Sequence, residues 1–410
     1  MGVIAEWNNF DRRQRSAFIA SFLGWTLDAF DFFLMVFVLG AVAADFGTSV
    51  KAVSVAITLT LAMRPLGALV FGALADRYGR RPVLMLDILL FSVLELASAF
   101  APSLVVLLIL RAAFGFAMGG EWGIGASLTM ETIPPKARGL VSGILQEGYA
   151  CGYLFAAVVY GLLFDTIGWR GMFAVGVVPA LLVLYIRRNV EESPAWSRMR
   201  ARPRRPLREV LKGRWPLFAY VVVLMTAFNF FSHGTQDLYP TFLQAQHKLS
   251  THVVSIIAIV ANIGAIAGGI FFGSLSERIG RRRAIIFAAL LTLPIIPLWA
   301  FASGPVLLGL GAFLMQIAVQ GAWGVIPVHL NELSPDEVRG TFPGFAYQLG
   351  NLFASANATL QAGFASSHGG NYGLALAIVA ALAAITIALL TSVGAEAHGV
   401  VFAAHGAGDG

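Results

Sequence analysis

Apolar stretches of roughly bilayer-spanning length, separated by short polar loops, fill almost the whole chain. A bilayer core takes about 20 apolar residues per helix. Runs near 17–41, 51–72, 83–100, 103–126, 139–164, 171–188, 216–244, 253–273, 284–301, 304–328, 340–365 and 371–394 therefore predict twelve transmembrane helices and an all-α membrane protein. The longest polar stretch, 189–214, carries EESPAW and then RMRARPRRPLR, and divides the helices six and six. It predicts a central linker between one bundle over 1–188 and a second over 215–394, followed by a short tail over 395–410. The tail, rich in Ala and Gly with His398 and His405, reads as unstructured. The first apolar run passes signal-peptide length with no small-residue cleavage pattern, so no cleaved leader is expected.

Composition and charge narrow the class. The 410 residues are 58% hydrophobic and 12% charged, which excludes the mixed-charge surface of a soluble domain. The formal charge of +6 sits in short basic runs between apolar segments, so it marks topology and not a nucleic-acid partner. Arg12, Arg13, Arg15, Arg77, Arg80, Arg81, Lys136, Arg138, the run 187–214, the run 278–283 and Arg339 fall on one side; Lys51, Arg170 and Lys248 fall on the other. Positive charge stays inside. This predicts an inner or plasma membrane protein with both termini cytoplasmic. Cys151 is the single cysteine and lies in an apolar run, where it reads as a packing residue. Nothing at useful spacing suggests a metal cluster or a nucleophile with its base, so neither a cofactor nor an enzyme is expected. GGEWGIG at 119–125 lacks the Lys-Ser/Thr ending of a phosphate loop and reads as close helix packing.

The chain also repeats itself. GALADRYGRR at 72–81 returns as GSLSERIGRR at 273–282, ETIPPKARG at 131–139 as ELSPDEVRG at 332–340, and EWG at 121–123 as AWG at 322–324, each shifted by 201 residues. Three matches at one offset predict two homologous halves. Six-helix halves of like orientation, each with a GxxxDRxGRR-type loop after its second helix, resemble the major facilitator superfamily. That resemblance implies two pseudo-symmetric bundles working by alternating access. It also implies a cytoplasmic gate built from Gly72, Asp76, Arg77, Gly79, Arg80, Glu277, Arg278 and Arg281, with Asp76 facing a neighbouring helix end.

Ionisable groups at bilayer depth cost roughly 2.5 to 3.5 kcal/mol each and mark pathways or buried pairs. Here they are Asp28, Asp31, Arg64, Glu95, Arg111, Glu121, Glu147, His233 and Asp237. In the seventh predicted helix Asn229, Ser232, His233, Gln236 and Asp237 recur at i, i+3, i+4, i+7 and i+8, one polar stripe that cannot face lipid. NFFSHGTQDLYPT at 229–241 is similar to the signature of lactate and pyruvate permeases, which group with the sialate:proton symporters; GWTLDAFDFF and ESPAW are similar to that branch too. The resemblance implies proton-coupled uptake of a short monocarboxylate such as lactate or pyruvate, with sialate, dicarboxylate or aromatic-acid symport as the alternative. It places Asn229, His233 and Asp237 on the pathway, with Gln348 and Asn351 facing substrate.

An organic anion needs a cation or several donors. Arg64 is the first choice, with Asn229, Gln348, Asn351 and His233 as neutral donors and Ser232 and Gln236 beside them. Arg111 reads as a structural or coupling ion pair, and Glu95 as satisfying a neighbouring helix. Desolvated carboxylates can carry the proton. The 201-residue shift maps Asp28 onto Asn229 and Glu147 onto Gln348, which favours Asp28 and Glu147, with Asp31, Glu121 and Asp237 in reserve. The expected partners are an organic acid anion, a proton and the lipid bilayer, and a monomer suffices. A drug exchanger would carry a Gly-x-x-x-Gly-Pro pattern in the fifth helix, and GILQEGYACGYLF lacks the proline. A nutrient sensor on a carrier fold is the reading from another class.

Overall fold

Repeat-related residues open corresponding helices in the two halves. The Ser49 and Ser250 hydroxyls accept the Ala52 and Val253 amides in the next first turn, satisfying donors that a helix start leaves without partners. Gly79 and Gly280 stand at φ +114° and +91°, a backbone region open to glycine and costly to other residues. Each turns the chain from its half's second helix into the third.

The computed structural model describes residues 7–200, 209 and 212–402. Parts of the predicted linker (201–208, 210 and 211) and of the tail (403–410, with His405) lie outside the described residues. The first half contains α1 (Arg12–Asp45), α2 (Val50–Tyr78), α3 (Arg80–Ala99), α4 (Leu104–Met118), α5 (Glu121–Thr132), α6 (Arg138–Gln146), α7 (Gly148–Val175) and α8 (Ala180–Asn189), and α9 (Pro194–Met199) follows in the linker. The second half contains α10 (Trp215–Gln236), α11 (Thr251–Ile279), α12 (Arg281–Phe301), α13 (Pro305–Gly324), α14 (Ile326–Leu333), α15 (Phe342–Ala354), α16 (Asn357–Ser367) and α17 (Tyr372–Val393).

Among the described residues ten helical stretches are long and apolar enough to cross a bilayer unaided. The sixth and eleventh spans are pieced together, which completes the twelve-helix, two-bundle architecture. Gly168, at φ +63° inside α7, separates the fifth span from the sixth, and the sixth breaks again ahead of Pro179 before α8. The eleventh is α15 and α16, offset at residues 355–356. The fourth and tenth spans are also broken, α4 from α5 at Gly119 and Gly120, and α13 from α14 at Val325.

The halves meet at the end that carries the arginine-rich loops, called here the basic end. Small residues let backbones touch: a Cβ on Gly143 would lie 2.2 Å from the Gly269 carbonyl oxygen, one on Gly139 2.4 Å from that of Gly273, and one on Gly123 2.8 Å from Gly344 Cα. Close helix approach through glycine is the usual solution where lipid gives no hydrophobic drive to association.

The tail departs from expectation. Residues 394–402 pack beneath the basic end, with Phe402 buried between the Arg138 and Arg339 guanidiniums, 3.7 and 3.8 Å from its ring centroid. Glu396 accepts the Arg281 and Arg282 amides at the start of α12. Glu192, after α8, does the same for Arg80 and Arg81 at the start of α3. The described part of the tail is held in place because Glu396 caps a helix.

Candidate functional site

Four helices of the first half bring one guanidinium and three carboxylates together. Asp28 (α1) and Arg64 (α2) form an ion pair at 2.9 Å, with side chains 0% and 3% exposed. Asp28 Oδ1 and Arg64 Nε have no hydrogen-bond partner among the described residues. Both oxygens of Glu121 (α5) and both of Asp87 (α3) are also buried without a partner there. Asp28 and Arg64 act electrostatically on each of these acids. Gly24 makes the room for Glu121, since a Cβ at Gly24 would lie 2.3 Å from Glu121 Oε1. Gly120 does the same for Asp87, at 3.0 Å from Oδ1.

Asp87 is the residue missed by sequence reasoning. It interrupts the apolar run VLMLDILLF in α3, the same signal that picked out its neighbours.

A second buried cluster lies apart from the first. Arg111 (α4) pairs with Glu95 (α3) at 2.6 Å, takes Ser98 Oγ at 2.6 Å, and lies over the Phe114 and Phe173 rings. Asp31 joins this cluster and not its near neighbour in sequence, Asp28: Glu95 and Asp31 both crowd the position a Gly176 Cβ would take. Here two acids, Glu95 and Asp31, face one arginine. Glu147, between α6 and α7, belongs to neither group; its Oε1 rests against Gly269 of α11, where a Cβ would come within 2.2 Å. It sits on the seam between halves.

The polar stripe of α10 divides. His233 Nδ1 lies 3.2 Å from Asp237 and its Nε2 3.1 Å from Asn351 Oδ1, and the His233 and Asp237 side chains keep 33% and 39% of their surface. Arg64 acts electrostatically on His233 across the two halves. Gln236 turns to Gln316 of α13 at 2.9 Å. Asn229 is buried and donates to its own helix at Met225 O. Ser232 is half-buried, and both amide atoms of Gln348 are buried without a partner among the described residues.

At the basic end the repeat yields reciprocal locks. Asp76 accepts the Gly340 amide at 2.7 Å and the Thr341 amide and hydroxyl at 3.0 and 2.6 Å, while Glu277 accepts the amide of Gly139. Arg80 pairs with Glu131 and Arg281 with Glu332, both at 2.9 Å. Glu131 and Glu332 then reach across to Arg339 and Arg138 at 3.7 and 3.9 Å. Arg77 and Arg278 are exposed outside this network. These hydrogen bonds and ion pairs join the two halves at this end.

Comparison with known proteins gives the same architecture a context. The family model described as Major Facilitator Superfamily matches residues 18–352 and 237–402. The chain is 30% identical to a carboxylic acid transporter protein homolog of Saccharomyces cerevisiae, over 87% of this chain and 61% of that longer protein. It is 29% identical to the sialic acid transporter NanX of Escherichia coli, over 95% and 96% of the two chains. It is 28% identical to the cis,cis-muconate transport protein of Acinetobacter baylyi, over 89% and 90%. Among solved structures, the proton:xylose symporter XylE superposes with TM-score 0.80 at 18% identity, covering 95% of this chain and 98% of that one. The human organic anion transporter MFSD10 does so with TM-score 0.73 at 16% identity, over 92% and 99%.

Proposed function

The chain belongs to the Major Facilitator Superfamily, and from that premise we propose that it is a proton-coupled symporter of a small organic anion, its basic end facing the cytoplasm. The observation that carries this reading is the buried Asp28–Arg64 pair with two further carboxylates, Glu121 and Asp87, beside it. One guanidinium cannot neutralise three carboxylates, and unpaired charge in a membrane interior is expensive. Protons on the acids remove that cost.

The same pair couples the two solutes. While Asp28 is ionised it holds Arg64, the guanidinium an anion would need. A proton on Asp28 releases Arg64 to a substrate carboxylate, with the half-exposed His233 and Asp237 and the buried Asn351 on the facing half. The loaded site is then close to neutral, so the halves rock with little charge to desolvate. Glu147, on the seam at Gly269, is placed to sense that movement as a second proton carrier.

For the substrate we favour a short monocarboxylate such as lactate or pyruvate, supported by the 229–241 signature, while the name of the yeast relative supports a carboxylic acid as cargo. The sialic acid and muconate transporters, matched over most of their length, favour a larger organic acid as the second reading. Uptake of labelled lactate into proteoliposomes, with and without an inward proton gradient and with sialate and succinate as competitors, separates them. Gradient-driven accumulation is expected, with Arg64→Gln lowering it at least tenfold, since charge-assisted hydrogen bonds are worth about 1.5–3 kcal/mol. Accumulation by Arg64→Gln equal to that of the unaltered protein would refute the anion assignment.

A further inference from the structure

At the basic end of the first half, away from the transport site, two adjoining clefts share Arg81 and Arg187. One, of about 480 Å³, is lined also by Arg12, Arg13 and Arg188. The other, of about 810 Å³, is lined also by Arg77 and Arg200, with Tyr78, Met85 and Trp196. Seven arginines thus line the pair, against two carboxylates, Glu191 and Glu192.

Both carboxylates are engaged, Glu192 by backbone amides and Glu191 by one of the seven arginines. Glu192 accepts the Arg80 and Arg81 amides at 2.9 and 3.2 Å, and Glu191 meets Arg13 at 3.4 Å. Arg187 and Arg188 are exposed, and neither pairs with an acid among the described residues.

The second half supplies an internal control. There Glu396 caps α12 as Glu192 caps α3, and Arg282 donates to the Thr391 and Ser392 carbonyls as Arg81 donates to that of Arg187. Thr391 and Ser392 occupy the places of Arg187 and Arg188 in that turn. The turn folds without the two arginines, so their charge is surplus to the architecture.

The clefts open where an apolar face ends. Leu86, Leu89 and Val93 of α3 and Leu181 and Leu184 of α8 are 44–64% exposed on that side, and Met85 carries the apolar wall into the larger cleft. An anion held by arginine forks with hydrocarbon running up the adjoining helices has the chemistry of a phospholipid. We propose that these clefts bind the phosphoryl headgroup of an anionic phospholipid, with Arg187 and Arg188 as its principal contacts and its acyl chains along α3 and α8. Basic pockets beside membrane helices are suited to such headgroups, and guanidinium forks match phosphate oxygens.

The test is binding of phosphatidylglycerol to the purified full chain in detergent, followed by native mass spectrometry. Arg187→Gln/Arg188→Gln is compared with Arg214→Gln/Arg283→Gln, which removes equal charge at the same end. Roughly tenfold or greater weakening is expected in the first pair alone. If the first double variant does not fold, Arg187→Gln and Arg188→Gln singly are each expected to weaken binding about threefold or more. Equal loss in both pairs, or no loss in either, overturns the site. Inorganic phosphate and glycerol phosphate at millimolar concentration form the second arm. Failure to displace the lipid is expected; displacement by either would mean that the clefts read a free phosphoryl anion, and would overturn the lipid assignment.

Discussion

Asp28 and Arg64 are each other's counter-charge at 2.9 Å, and that geometry fixes the sign of a pH effect. As pH rises, ionised Asp28 competes better for Arg64, so anion affinity should fall, by up to about tenfold per pH unit for one linked proton. Asp28→Asn frees Arg64 at every pH. It should bind the anion tightly and without pH dependence, and exchange it while failing to accumulate it; a binding titration across pH 5 to 8 reads this, and an unchanged slope would remove Asp28 from the coupling. Asp87 gives a separate test. Burying an unpartnered carboxylate is destabilising, so Asp87→Asn should hold or raise thermal stability, while gradient-driven accumulation drops and exchange persists. A purely structural acid would show the stability change alone. Most of these residues were legible as charges in apolar runs, but their grouping was not. Asp31 lies three positions from Asp28 and joins Arg111, where Gly176 leaves room for it beside Glu95.

Among the glycine contacts between the halves, the seam between α6 and α11 brings backbone closest. A Cβ on Gly143 would meet two backbone atoms of Gly269, at 2.2 and 2.9 Å, and backbone cannot rotate aside as a side chain can. Gly143→Leu should therefore part the basic ends and shift the carrier toward a form open at that end. Spin labels on Lys136→Cys and Glu337→Cys, exposed repeat-related loop positions, in a Cys151→Ser background would report a longer distance; an unaltered distribution would mean that the seam does not set the closed state. The long spans were readable from hydropathy alone, because nothing competes with helix formation over 20 apolar residues in lipid. The sixth and eleventh were harder to delimit. Gly168, Pro179 and the offset at residues 355–356 divide them by backbone geometry, and apolar content does not report that.

Across the whole molecule the 201-residue repeat becomes a set of crossed contacts, each half holding the other through the same residues: Asp76 with Gly340 and Glu277 with Gly139, Glu131 with Arg339 and Glu332 with Arg138. The offset was plain in the sequence, and the crossing follows from it once two like surfaces face one another. Phe402 was illegible, since a lone aromatic in a Gly- and Ala-rich tail has no periodicity to place it. Yet its ring stands where the crossed pairs meet, between Arg138 and Arg339, its carbonyl accepts from Arg198 of the linker, and the Val400 carbonyl accepts from Arg138. Two guanidiniums on one aromatic gain about 0.5–2 kcal/mol apiece; without the ring they face each other as like charges across the joint. Phe402→Ala should thus favour the open basic end by roughly fivefold or more, read as a greater long-distance fraction between the labels at positions 136 and 337. Phe402→Trp, which keeps an aromatic face, should restore the closed fraction. Restoration by Leu to the same extent would show that bulk, and not the ring's attraction for the arginines, closes the carrier.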